Sequence, residues 1–302
     1  MSSGGEAEAD AKQRSRKELR GALWLFADIM LLMTMTVVAK LMGATYPVVQ
    51  LVFARAVVGL AVVMPFALMY RGQAGMPSDM RMQAMRIGAN AVSNCCFFAA
   101  LQLLPLATMT TISYTRPFVL LAFAAAFLGE RIGMRRWAWT AIAFAGVLIA
   151  VRPDSGGAPL GVLVALGAVV FGQLSVLAAR KLHEETTISL MLTHNAGMIM
   201  IMAPLTLIFG IPFRAEDVPW LIAIGALGQA GQFCFLVAHR LARAAVLAPL
   251  GYVNIFFAGF AGYYFFNETP TRAMIIGTII VLAAALIANV SLTSLLRRRE
   301  ES

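Results

Sequence analysis

Charge is what this chain has least of. Asp, Glu, Lys and Arg make up 13% of its 302 residues, about half of the roughly 25% usual in a soluble domain. Against that, 60% of the chain is apolar and its mean hydropathy is +0.79. So little charge cannot cover a water-facing surface, and the chain reads as an integral membrane protein. Acids are scarcer than bases, 15 against 24, giving a net charge of +9. The excess base does not indicate nucleic acid. The bases flank apolar runs instead of forming a face or stripe, and no nucleic-acid recognition motif is present. The only cysteines, Cys95, Cys96 and Cys234, fall inside apolar runs. They offer neither a disulfide framework nor metal spacing and read as small packing residues. The chain also lacks His-Glu-x-x-His, a phosphate-binding glycine loop and a nucleophile elbow, and its loops are too short for a nucleotide-binding domain. No enzyme, cofactor or metal is expected, and ATP-driven transport would need a separate subunit.

What is present is a series of apolar runs. Residues 1–20 are polar, with Glu6, Glu8 and Asp10 followed by five bases from Lys12 to Arg20. They read as a disordered basic tail, and the run that follows is too long for a signal peptide and lacks its cleavage pattern, so no processing is expected. Ten runs follow, at 21–39, 48–69, 86–103, 107–128, 137–151, 160–179, 188–210, 218–239, 244–266 and 273–292. The fifth is short for a span of about 20 residues, but Arg135, Arg136 and Arg152 can snorkel from its ends. The fold class expected is therefore all-α and membrane-embedded, with ten transmembrane helices. Counting Lys and Arg in alternate loops places 18 on the side of the N-terminus and 4 on the other. By the positive-inside rule both termini are cytoplasmic, in a bacterial inner membrane.

The chain also repeats itself. One constant shift, with no gap, superposes Cys96 on Cys234, Phe97 on Phe235, Tyr114 on Tyr252, Phe127 on Phe265 and Glu130 on Glu268. With five spans per repeat, the second half must be inserted upside down relative to the first. The organisation expected is thus a tail at 1–20, a first five-helix repeat at 21–153, a second at 154–292 and a basic tail at 293–302. Inverted repeats of this kind commonly hold a substrate near the bilayer midplane and work by alternating access.

Two segments carry a resemblance to a known family. One is Leu128-Gly129-Glu130-Arg131, followed by a Trp-containing helix that closes on Gly146-Val147-Leu148-Ile149-Ala150-Val151-Arg152-Pro153; the other, weaker, is Phe266-Asn267-Glu268-Thr269. In these the chain resembles the EamA-type, ten-helix branch of the drug/metabolite transporter superfamily. The resemblance implies a secondary transporter of small organic solutes, amino-acid-like, nucleotide-like or vitamin-like, with a cavity lined mainly by the first four helices of each half. It identifies the machine and not the cargo.

The candidate site residues are the polar ones inside the spans. Arg116, about 15 Å from the outer end of its span, is near the midplane, whereas Asp28 lies about 10 Å from the inner face and Arg55 about 10 Å from the outer. An arginine at that depth is costly unless it meets a cavity or a partner. Pro117, directly after it, removes a backbone donor and frees a carbonyl near Ser113. The reading is that Arg116 contacts solute, with pairing to Asp28 as the bland alternative. Tyr114 and Tyr252 are repeat equivalents, but the counterpart of Arg116 is Asn254, which makes the site asymmetric. His194 falls within one residue of the repeat equivalent of Arg55 and so occupies its mirrored position. Asn94 and Gln232, with Asn90 and Gln229 nearby, hydrogen-bond either solute or neighbouring helices. Trp24, Phe97 and Phe235 stack on a planar solute or simply pack. Asp28 and Arg55 form a coupling group or a structural ion pair, with protons as the coupling ion. Glu130 and Glu268 end helices beside basic residues and read as structural or gating groups.

The function expected is a carrier for a small metabolite bearing an anionic group that pairs with Arg116. Two rivals stay open at this point. One is a membrane enzyme acting on a lipid-like substrate, which needs a carboxylate pair the spans do not offer. The other is a channel, which favours a ring of like polar groups. Import or export, and whether the chain acts alone or as a homodimer, are open as well.

Overall fold

A computed structural model describes residues 3–69, 79–128, 134–150, 159–182, 185–242, 247, 250–251 and 253–300. Every regular element among them is a helix: α1 Ser3–Met42, α2 Val48–Met69, α3 Met80–Leu103, α4 Leu106–Ser113, α5 Arg116–Leu128, α6 Met134–Ala150, α7 Pro159–Lys181, α8 Thr187–Phe209, a 3₁₀ turn Ala215–Asp217, α9 Val218–Leu241, α10 Asn254–Phe266 and α11 Arg272–Glu300. Among the described residues, five helices are long and apolar enough to cross a membrane, at Arg16–Met42, Val48–Met69, Pro159–Ala179, Ile188–Phe209 and Ala215–Leu241. Shorter apolar helices run at Trp137–Ala150 and Arg272–Ala284. α3 is long enough but carries Arg81, Arg86, Asn90, Ser93 and Asn94. The fourth run is interrupted, which shortens both of its pieces.

The repeat seen in sequence is also seen in the element boundaries. Under the same shift α3 (Met80–Leu103) recurs as α9 (Val218–Leu241), and α5 (Arg116–Leu128) as α10 (Asn254–Phe266). The breaks recur too. Leu104 leaves α3 at φ −127°, ψ 151°, its N–H bonded to the Ala100 carbonyl. Ala242 leaves α9 at φ −131°, ψ 150°, its N–H bonded to the Ala238 carbonyl. Packing follows the same exchange: α1 lies along α9 and α3 along α7, while α2 packs on α8, α4 on α10 and α6 on α11. Swapping the two halves exchanges the α1–α9 and α3–α7 pairs and maps the α2–α8 and α6–α11 pairs onto themselves.

Apolar side chains fill the space between helices, as in the cluster of Leu51, Phe98, Leu101, Met109 and Ile224. Others point outward: Leu207 is 87% exposed and Phe256 75%, as expected where lipid takes the place of water. Lipid supplies no hydrophobic drive between helices, so close contact depends on small residues. At the α6–α11 crossing a Cβ on Gly277 would lie 2.4 Å from the Gly146 carbonyl oxygen, and one on Gly146 2.9 Å from that of Gly277.

The fourth run, expected as one helix over 107–128, is instead interrupted just before Pro117, whose missing N–H weakens the helix there. α4 stops at Ser113, Thr115 bonds back to Ile112 through its N–H (3.0 Å) and its hydroxyl (2.7 Å), and α5 starts at Arg116. Three further expectations differ from the structure. The polar N-terminal segment expected to be disordered continues α1 from Ser3, because its Ala, Glu, Lys and Arg are good helix formers and the apolar run has already nucleated the helix. The expected C-terminal tail likewise prolongs α11 as far as Glu300 for the same reason. The third run starts earlier than expected, at Met80, where Asp79 caps the helix by accepting from the Met82 N–H at 2.9 Å. Arg86 is therefore a helical residue and not a loop charge.

Candidate functional site

A cavity of about 390 Å³ runs between the helices and is lined from both halves of the chain. α3 supplies one continuous face, polar at Arg86, Asn90 and Asn94 and apolar at Phe97 and Leu101, which succeed one another at spacings of three or four residues, the interval that puts side chains on one face of a helix. Arg55 enters from α2, His194 from α8, Gln232 from α9 and Asn254 from the start of α10. Ser113 and Arg116 flank the α4–α5 break. Pro117 cannot donate to the Ser113 carbonyl, so the break presents an unspent acceptor beside a guanidinium at the cavity wall.

The polar residues divide into a group bonded to one another and a group with bonding capacity to spare. Arg55 Nη1 donates to Asn94 Oδ1 at 2.5 Å. Asn94 Nδ2 donates to the carbonyl oxygen of Asn90 at 2.9 Å and to its Oδ1. Asn90 Nδ2 continues to Ser175 Oγ at 3.3 Å. This chain of donors ties α2, α3 and α7 together and fixes the Arg55 guanidinium against the cavity. Asn94 is thereby a positioning residue as well as a wall. In contrast, Arg116 is exposed to the cavity and has no hydrogen bond or ion pair among the described residues. Gln232 and Asn254 line the wall in the same unbonded condition, and His194 Nδ1 is buried with no partner. From the ends of their helices, Arg116 lies ten residues beyond Leu106 and Asn94 ten before Leu104, so both sit about 15 Å deep.

Other sequence candidates lie off the cavity. Tyr114 donates its hydroxyl to the Gly251 carbonyl at 3.0 Å and does not line the wall; Tyr252 lies outside the described residues, as does Glu130. Trp24 is 38% exposed and meets Phe233 edge-to-face at 6.1 Å. Phe235 stacks on His239 at 4.0 Å, which leaves Phe97 as the aromatic wall. Gln229 is buried with an unpartnered Nε2. Asp28 is 4% exposed, its Oδ1 without a partner, and makes no salt bridge with Arg55. Both nonetheless abut α9, at glycines one turn apart. A Cβ on Gly228 would lie 3.1 Å from Arg55 Nε, and one on Gly231 3.2 Å from Asp28 Oδ1.

Arg86 is the lining residue that sequence reasoning misses, because a base at the edge of an apolar run reads as a loop charge. The signal is nonetheless there: Arg86, Asn90 and Asn94 make an i, i+4, i+8 polar stripe in an otherwise apolar helix. Such a stripe marks the face turned toward water or solute.

A compact ionic knot lies one turn beyond Thr36 and beside Leu106, two residues that line the cavity. Lys40, in the last turn of α1, donates to Glu268 Oε1 at 2.5 Å and to the Leu104 carbonyl at 2.8 Å. Glu268 Oε2 accepts the Leu106 N–H at 2.8 Å, satisfying a free donor at the start of α4. The salt bridge joins the first half of the chain to the second across the α3–α4 break.

Comparison with known proteins fits this architecture. A solved crystal structure superposes with a TM-score of 0.64 at 22% identity, covering 93% of this chain and 99% of that one. The chain is 23% identical to an S-adenosylmethionine uptake transporter of Rickettsia prowazekii over 89% of its own length and 92% of the relative's. It is 27% identical to the pseudopaline exporter CntI of Pseudomonas aeruginosa (83% and 89%) and 29% identical to a riboflavin transporter of Rhizobium johnstonii (62% and 63%). The profile of the EamA-like transporter family matches twice, at 19–152 and 159–290. With both halves matched and the two sets of helices packed reciprocally around one polar cavity, the chain belongs to the EamA-like transporter family of the drug/metabolite transporter superfamily, whose members are membrane transporters and not enzymes.

Proposed function

We propose that this transporter is a secondary carrier that moves a small organic solute bearing an anionic group across the cytoplasmic membrane by alternating access. The named relatives carry cargoes that differ from one another, so the cargo must be argued from this cavity. The observation that carries the reading is Arg116: a guanidinium with no counter-ion among the described residues, at an interrupted helix, about 15 Å from the helix end. Removing such a charge from water is costly, and an anion arriving from solution offsets that cost. Its planar fork holds a carboxylate at two points. Gln232, Asn254 and His194 supply neighbouring polar contacts, Phe97 an apolar wall, and the Arg55–Asn94 pair a second positive edge; Tyr114 supports the break from behind.

In this reading the ten apolar runs are ten spans in two inverted repeats, at 21–153 and 154–292, with both termini cytoplasmic. Asp28 is the coupling group. Arg55 leaves Asn94 for Asp28 in one state of the cycle, and a proton takes its place on the carboxylate in the other. The direct test of the site is binding and uptake by Arg116 variants in liposomes. Arg116→Ala should abolish solute binding in a protein that still folds, and Arg116→Lys should keep part of it, having the charge without the fork. Wild-type binding by both would make Arg116 structural and end the proposal.

A further inference from the structure

The cavity has more positive charge than one anionic group requires. Three arginines line it, Arg55, Arg86 and Arg116, together with His194, and among the described residues no Asp or Glu does. Arg116 and the Asn94-bound Arg55 share one depth. Arg86 does not. It lies eight residues before Asn94 on the same helix, about 12 Å further along α3, and it is held there. Arg86 Nη1 donates to Gln83 Oε1 at 3.4 Å and to the Leu190 carbonyl at 3.3 Å. Gln83 lies one turn before it, on the side away from Asn94, and Leu190 one turn before His194. Both bonds are long, so the guanidinium keeps most of its five donors for another acceptor. His194 stands between the two levels, within electrostatic reach of both Arg55 and Arg86, and its buried Nδ1 lacks a partner. A single carboxylate at Arg116 cannot bridge this distance. It would leave Arg86 facing the cavity without a counter-charge.

We propose that the solute carries two anionic groups, one held at the Arg55–Arg116 level and the other at Arg86, with a polar or uncharged link lying along Asn90 and Ser93. The inference rests on the anionic-solute reading above and deepens it. It makes Arg86 the residue that selects dianions over monoanions, and it sets the size class. The two charges stand several bonds apart, as in a medium-length dicarboxylate or a phosphorylated acid, and not side by side as in a single phosphate.

The test uses purified full-length protein in lipid nanodiscs and calorimetric titration with linear dicarboxylates from succinate to sebacate, each compared with its half-amide, which keeps one charge and the same length. The expected result is an affinity maximum at one chain length, where the diacid binds at least about tenfold more tightly than its half-amide, the worth of one charge-assisted contact of about 1.4 kcal/mol. Arg86→Gln should reduce that ratio to near unity, and Arg86→Lys should leave an intermediate ratio. The Lys variant keeps the test informative if removing the charge prevents folding. Equal affinities of diacid and half-amide at every length would overturn the dianion inference while leaving a carrier for one anionic group standing. A preference that survives Arg86→Gln unchanged would overturn the role of Arg86. Absence of binding by every acid to the wild-type protein would overturn both this inference and the anionic-solute reading.

Discussion

Breaking the Lys40–Glu268 knot should widen access to the cavity from the side of Leu106. The pair is more than a surface bridge: its side chains are 12% and 18% exposed, the ammonium also holds the C-terminal carbonyl at Leu104, and the carboxylate holds the first N–H of α4. Exposed pairs are worth about 0–1 kcal/mol and loss of one partner from a buried pair costs about 3–5 kcal/mol, so this intermediate site should contribute roughly 2 kcal/mol. Glu268→Gln keeps an acceptor for the Leu106 N–H but removes the charge facing Lys40. If the knot exists only in the state closed at this end, the substitution should shift the equilibrium toward the opposite state by roughly thirtyfold. Thr110 lines the cavity one turn inside Leu106 and reports on this directly. In a Cys-free background, Thr110→Cys should react with an impermeant maleimide added from the side where α1 ends, faster in Glu268→Gln and in Lys40→Met than in the parent. The double variant should gain little over either single one, because both remove the same contact. Unchanged labelling rates in both single variants would refute the reasoning and leave the knot as helix-end packing.

Two further expectations concern topology and coupling. A reporter fused after Gly72 or Arg299 should be cytoplasmic and one near Gly156 or Arg214 external; finding the Gly72 and Gly156 reporters on one side would remove the inverted arrangement and alternating access with it. Asp28→Asn should retain exchange of solute for solute in liposomes but lose accumulation driven by a pH gradient. Gradient-driven accumulation at the wild-type rate in that variant would eliminate Asp28 as the coupling group, and joint loss of folding and all transport modes would assign it to structure.

Much of the fold is legible in the sequence because lipid simplifies the problem. Backbone groups without water must be satisfied within a helix, so apolar runs become helices. The repeat is legible because related halves break their helices at related places, as Leu104 and Ala242 do with nearly the same dihedral angles. Proline chemistry at Arg116-Pro117 points to a freed carbonyl near Ser113, though not to the full break between α4 and α5, and the depth of Arg116 follows from counting residues. A charge inside an apolar helix announces a cavity before any coordinates are known.

Which face of each helix meets that cavity was decided only by the tertiary structure. Faces packed on neighbours and faces turned to lipid are both apolar, so composition cannot distinguish them. Trp24 therefore faces Phe233 on the periphery instead of the solute, and Tyr114 spends its hydroxyl on the Gly251 carbonyl. Long side chains add a second uncertainty, because a guanidinium can reach several partners from one Cα. Arg55 bonds Asn94 and not the nearby Asp28, and Arg86, near the start of its helix, turns inward to the cavity. Lys40 and Glu268, far apart in the chain, meet because α1 and α10 end at the same place beside the break between α3 and α4. The repeat and its helices were written in the order of the residues, whereas the set of charges that lines the cavity depended on how the two halves pack.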